Sequence, residues 1–100
     1  MNIRSTHNNA EVSINGTHLQ GYIDVPYSKI VAVLGKPLDG DYKTDWEWHI
    51  VWEDGLVSTL YNYKNGPNYG YGDVNPQDIR SWNVGGHDSA VLQRTKNLFQ

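Results

Sequence analysis

The strongest constraint in this chain is a run of large residues with a period of two. Trp46, Trp48, Ile50 and Trp52 alternate with Glu47, His49, Val51 and Glu53, and that period puts successive side chains on opposite faces of a β-strand. Asp54-Gly55 follows and leads into Leu56-Val57-Ser58-Thr59-Leu60-Tyr61-Asn62-Tyr63. An Asp-Gly pair between two such runs signals a two-residue hairpin turn. That turn sets Trp46 opposite Tyr63, Trp48 opposite Tyr61, Ile50 opposite Thr59 and Trp52 opposite Val57. Glu47, His49, Val51 and Glu53 then share the other face with Asn62, Leu60, Ser58 and Leu56. A slip of one residue would exchange the faces, so everything inferred about the aromatic face depends on register.

The rest of the chain supplies partners for this hairpin. Glu11–Ile14 and Thr17–Ile23 flank Asn15-Gly16, a second hairpin signal that pairs Ile14 with Thr17 and Val12 with Leu19. Tyr27, Ile30, Val31 and Leu34 form one stripe of a helix between Pro26 and Gly35-Lys36-Pro37. After a loop rich in Gly, Tyr, Asn and Pro (Asn68–Gln77), Asp78–Val84 reads as a fifth strand closed by Gly85-Gly86. A last helix starts at Asp88 or Ser89 and turns Val91, Leu92, Thr95 and Leu98-Phe99 inward. The order ββαβββα predicts a single α+β domain over residues 1–100, with a largely antiparallel five-stranded sheet and two helices. The polar first nine residues are expected to be flexible.

Composition narrows the function classes. The chain lacks cysteine, which removes disulfides, a thiol nucleophile and cysteine-ligated zinc. A net charge of −3 gives no footprint for general nucleic-acid binding. No apolar run reaches the roughly 20 residues of a membrane span, and the polar N-terminus lacks an export signal, so a cytoplasmic location is expected. Asn15-Gly16-Thr17 fits a glycosylation sequon but reads better as a turn. Eleven of the 12 aromatic residues are Trp or Tyr (4 and 7, with 1 Phe), residue types that serve binding surfaces as well as cores.

Motifs for catalysis are weak. His7, His18, His49 and His87 have no metal-site spacing, and no metal or other cofactor is expected. His87-Asp88-Ser89 holds triad residue types, but consecutive residues cannot form the relay, so helix capping is the simpler role. Asp39, Asp41 and Asp45 miss the spacing of a calcium loop, with Lys43 among them. Glu47 and the histidines are all that a small hydrolase would have to work with, and no motif commits the chain to catalysis.

The aromatic face is the better candidate. Trp48 and Trp52 are expected in the core, with Trp46 and Tyr63 at the open end of the hairpin beside Lys64, Asn65 and the Tyr69-Gly70-Tyr71 loop. Gly85-Gly86 ahead of a helix offers free N–H groups to an anion. Such a set of rings, amides and cations can hold a planar ligand, and it can equally be a protein hot spot.

The stretches Gly35-Lys36-Pro37, Tyr42–Trp48, Asp54–Gly66 and Asp78–Gly86 together resemble a small family of tailed-bacteriophage accessory proteins, over about Tyr27 to Phe99. Trp46 stands where such proteins carry a small residue, and Asn83 where they carry histidine. The resemblance implies a counter-defence factor acting in the infected bacterial host. One form is a non-enzymatic protein, in a possible homo-oligomer, that sequesters a nucleotide-derived immune signal. Its ligand-binding residues are then Lys43, Trp46, Tyr61, Tyr63, Lys64, Asn65, Tyr69, Trp82, Gly85 and Gly86. The alternative is an anti-CRISPR-like inhibitor that covers a host defence protein.

Overall fold

The computed structural model describes every residue from Met1 to Gln100. Its elements are β1 (Ile3–Thr6), β2 (His18–Asp24), α1 (Tyr27–Leu34), β3 (Leu38–Asp39), β4 (Trp46–Trp52), β5 (Val57–Tyr61), β6 (Ser81–Gly86) and α2 (Ala90–Asn97), with short 3₁₀ turns at Pro67–Tyr69 and Pro76–Asp78. The strands form an antiparallel sheet in the order β1-β4-β5-β6-β2, and β3 pairs with β4 beside β1. This is an α+β domain with two helices, and it has six strands where the sequence predicts five. The additions are β3 and β1, the latter within the segment expected to be flexible. In exchange, Glu11–Ile14 forms no strand.

The register of the central hairpin differs from the expectation by one residue. Trp48 pairs with Leu60, His49 with Thr59 and Ile50 with Ser58. The loop holds three residues, Glu53, Asp54 and Gly55, closed by Gly55 N–H to the Trp52 carbonyl at 2.9 Å and Trp52 N–H to the Leu56 carbonyl at 2.8 Å. A two-residue type I′ turn needs a positive φ at both central positions, whereas here only Gly55, at φ +88°, adopts one. The three-residue form spares Asp54 the left-handed conformation, which disfavours a residue with a Cβ. The slip carries Tyr61 and Thr59 to the face opposite the tryptophans.

The tryptophan face is the core. Trp48, Trp52 and Trp82 are buried, and each indole N–H has a partner: the Gly35 carbonyl at 2.9 Å, Ser58 Oγ at 2.7 Å and the Val25 carbonyl at 3.1 Å. Helix α1 lays Tyr27 against Trp46, Trp48 and Trp82 and buries Ile30 and Leu34. Helix α2 covers β2, β5 and β6 with Val91 and Thr95. At its far side Arg94 makes a two-pronged pair with Asp54 (3.0 and 2.7 Å), tying α2 to the hairpin loop. The guanidinium holds the Asp54 carboxyl below the ordinary carboxylate value. A depressed folded-state value stabilises above the unfolded value of about 3.9 and ceases to do so as pH falls through the folded one. Asp54→Asn should therefore lower Tm slightly at pH 7, and its Tm should merge with wild type as acidification carries the pH below the depressed folded-state value.

The second expected hairpin also resolves differently. Asn15-Gly16 does turn, with Thr17 N–H donating to the Ile14 carbonyl at 3.1 Å and Gly16 at φ +78°. Beyond the turn, however, β2 pairs with β6, setting Ile23 beside Trp82 and burying it in the core. With β1 on one edge of the sheet and β2 on the other, the intervening chain must cross a face, and the helices occupy the core face. Val12 and Ile14 thus lie across the open face, near His49 on one side and Thr59 and Tyr61 on the other.

Histidines fasten both ends of this strap. His7 Nε2–H donates to the Lys36 carbonyl at 2.7 Å, and its Nδ1 accepts the His49 N–H at 3.2 Å. His87 Nε2–H donates to the Asn15 carbonyl at 2.7 Å. His7→Leu leaves the part-buried His49 N–H without its partner, while the Lys36 carbonyl keeps the Asn8 amide at 3.1 Å, and should destabilise the domain by about 1–3 kcal/mol in urea denaturation.

Candidate functional site

The open face of the sheet presents two cross-strand rows. One runs Glu47, Tyr61, Asn83, Tyr22 across β4, β5, β6 and β2; the next runs His49, Thr59, Gly85, Leu19. Residues directly opposite in an antiparallel sheet point the same way, so each row is one continuous strip of side chains. Gly85 interrupts the second row with no side chain, and a Cβ there would stand 2.5 Å from Thr59 Oγ1. The strap residue Ile14 borders the resulting depression, and Asp41, Lys43 and Thr44 from the loop before β4 close its far rim. The result is a cleft of about 200 Å³, floored by Thr59, Tyr61 and Gly85 and edged by Ile14, Leu19, Tyr63, Lys43 and Glu47.

Its polar groups are held in place. The His49 Nε2–H and the Thr44 hydroxyl donate to the two Glu47 carboxylate oxygens at 2.5 and 3.2 Å. Asp41 Oδ1 accepts the backbone N–H groups of Lys43 and Thr44 at 2.8 and 3.1 Å. The Lys43 N–H is the main reason the Asp41 carboxyl titrates below its usual range. The Tyr42 side chain, whose ring lies 5.2 Å from the ammonium, holds Lys43 above the usual lysine range. Burial pushes the Tyr61 hydroxyl up; the neighbouring Asn83 amide acts against this, and the Glu47 carboxylate acts with it. The five groups that clearly depart from ordinary titration include these three cleft residues. Asp54 and Arg94 are the other two and belong to the structural pair already described. Clustering of perturbed groups in a cleft marks it as a site candidate.

Of the residues expected to bind ligand, Lys43, Tyr61, Tyr63 and Gly85 meet in this cleft. The others do not. Trp46 lies on the core face against Tyr27, with ring centroids 6.3 Å apart. Trp82 is fully buried between Trp48 and Tyr27, out of reach of any ligand. Gly86 lies inside β6, where a Cβ would stand 2.5 Å from Val91 Cγ2 and 2.8 Å from the Val57 carbonyl. Gly85 and Gly86 are thus strand residues rather than a helix start. Helix α2 begins only at Ala90, whose N–H is capped by Asp88 Oδ1 at 2.8 Å.

Lys64, Asn65 and Tyr69 form a neighbouring cluster. The Lys64 ammonium lies over the rings of Tyr63 and Tyr69 at 5.3 and 5.6 Å, and Tyr69 stacks with Tyr42 at 6.4 Å. Asn65 turns inward and accepts a hydrogen bond from buried Asn62 at 3.0 Å. Sequence pattern alone does not place Ile14, Leu19, Tyr22 and Thr59 on the open face. Only the correct hairpin register reveals Thr59 there, and only the β2–β6 pairing reveals the β2 residues.

Comparison with protein-family models, curated proteins and solved structures gives no match to this chain.

Proposed function

We propose that this chain is a non-enzymatic binding protein that holds a nucleotide-derived ligand by taking one of its bases into the open-face cleft. The observation behind this reading is the convergence of Tyr61, Tyr63, Lys43 and Glu47 around one cavity of about 200 Å³. Bases stack on aromatic side chains whatever their identity, and fixed polar groups orient them. The cavity is smaller than the roughly 300–1,000 Å³ of sites that enclose a drug-sized ligand. One base fits, and sugar and phosphate stay outside. In the setting implied by the resemblance to phage accessory proteins, tight binding without turnover would withdraw an immune signal from its receptor. A ligand with several bases would engage several copies, so a homo-oligomer belongs to the same proposal.

The test is a thermal-shift screen with cyclic di- and trinucleotides and NAD-derived signals, followed by heat release and chromatography of the bound fraction. A rise in Tm of several degrees is expected for a tight ligand. Intact ligand after release supports sequestration, whereas a converted product would identify an enzyme. No shift with any nucleotide would remove this reading and favour a protein partner. That second reading has its own support: Tyr22, Tyr42 and Tyr71 are 60%, 62% and 52% exposed, and tyrosine is enriched in protein-binding surfaces. In that case the target would be a host defence protein.

A further inference from the structure

The polar groups of the cleft specify more than a generic base. Its lining includes two acidic residues, Asp41 and Glu47, and one lysine, Lys43, whose ammonium lies 5.2 Å from the Tyr42 ring. A phosphate inside would meet two like charges for one opposite charge, so the charges favour a neutral group offering hydrogen bonds. Asp41 is held through Oδ1 alone, by the Lys43 and Thr44 N–H groups, whereas Glu47 is held through both oxygens, by His49 and by the Thr44 hydroxyl. Each oxygen has further lone-pair capacity, and no lysine or arginine side chain pairs with the carboxylate. A ligand edge that satisfies this cleft therefore presents two adjacent donors to Glu47 and an acceptor to Lys43.

We infer that the cleft reads guanine, through N1–H and the N2 amino group on the Glu47 carboxylate and O6 on the Lys43 ammonium, with the ring against Tyr61 and Tyr63. The inference rests on the proposed reading of the cleft as a base site. Guanine alone among the common bases carries two neighbouring donors followed by an acceptor on its Watson–Crick edge. Adenine offers one donor beside the N1 lone pair, which would point at a carboxylate oxygen. Cytosine has one donor next to two acceptors, and uracil has one donor between two acceptors. Each of these three leaves a Glu47 oxygen facing a lone pair.

The experiment is calorimetric titration of the wild-type chain with GMP, IMP and AMP, and with cyclic di-GMP and cyclic di-AMP. GMP should bind roughly ten- to a hundredfold more tightly than AMP, the range of a good bidentate contact. IMP, which lacks the N2 amino group, should fall between them. The cyclic pair should keep the same order, because the base and not the phosphate is read. Glu47→Gln, whose carboxamide replaces one acceptor with a donor, should bring the GMP-to-AMP ratio close to one. AMP binding as tightly as GMP, or IMP as tightly as GMP, would overturn the guanine assignment while leaving the cleft as a base site. Failure of every nucleotide to bind would overturn both. Because the ligand series uses the wild-type chain, its outcome does not depend on how well Glu47→Gln folds.

Discussion

Replacing Asn62 with Leu should cost the domain about 3–5 kcal/mol, more than any substitution on the open face. Asn62 is fully buried, and its amide uses both ends. Oδ1 accepts the N–H groups of Asp45 and Trp46 at 2.8 and 3.0 Å, and Nδ2 donates to Asp45 Oδ2 at 2.9 Å and Asn65 Oδ1 at 3.0 Å. The Asp45 carboxylate, itself buried, accepts one more bond, from the Asn68 N–H at 2.7 Å. One side chain thus joins the entry to β4, the end of β5 and the loop that follows. Leucine keeps the volume but leaves two N–H groups and a buried carboxylate oxygen unpaired, each costing about 1–3 kcal/mol when water cannot replace the partner. For a domain of this size Tm should fall by at least about 12 °C. A fall of less than about 4 °C would mean that water reaches the network and that the connection matters little.

Trp82→Ala should be nearly as damaging, and for a reason opposite to the one its sequence context suggests. The ring stacks on Tyr27 at 6.3 Å, meets Trp48 edge-on at 5.4 Å and donates to the Val25 carbonyl at 3.1 Å. Truncation leaves a cavity and an unpaired carbonyl, a change that costs about 3–5 kcal/mol in well-packed cores. The effect should appear as a lower midpoint in urea with an unchanged slope, while the molecules that remain folded bind the same nucleotides with wild-type affinity. A Trp82→Ala protein that melts like wild type but has lost its ligand would put Trp82 in the site and contradict the packing described above.

Trp82 also shows where the sequence is legible and where it is not. Helical stripes, strand periodicity and turn residues are enough for the α+β class, both helices, the central hairpin and the burial of Trp48 and Trp52, because these depend on local pattern. Register is not legible, since Asp54-Gly55 is compatible with a two- or a three-residue loop. The choice between them decides whether Tyr61 faces the tryptophans or the solvent. Non-local pairing is equally hidden: Asn15-Gly16 makes its turn, yet β2 pairs with β6, which sets Ile23 beside Trp82 in the core. Gly85-Gly86 carries a misleading signal. Both glycines are required inside β6, Gly85 by Thr59 and Gly86 by Val91 and the Val57 carbonyl, and a requirement set by neighbours distant in sequence looks like a loop when read locally.

The most direct measurement of the central claim, that the open-face cleft is the binding site, compares affinities of wild type, Tyr63→Ala and Tyr71→Ala for the nucleotide that shifts Tm most. Tyr63 edges the cleft; Tyr71 is at least as exposed but lies outside its lining. Loss of one stacking ring is worth about 1–3 kcal/mol, so Tyr63→Ala should bind roughly five- to 150-fold more weakly. Tyr71→Ala should bind as wild type does. Wild-type affinity in Tyr63→Ala, or an equal loss in Tyr71→Ala, would place the ligand elsewhere on the molecule.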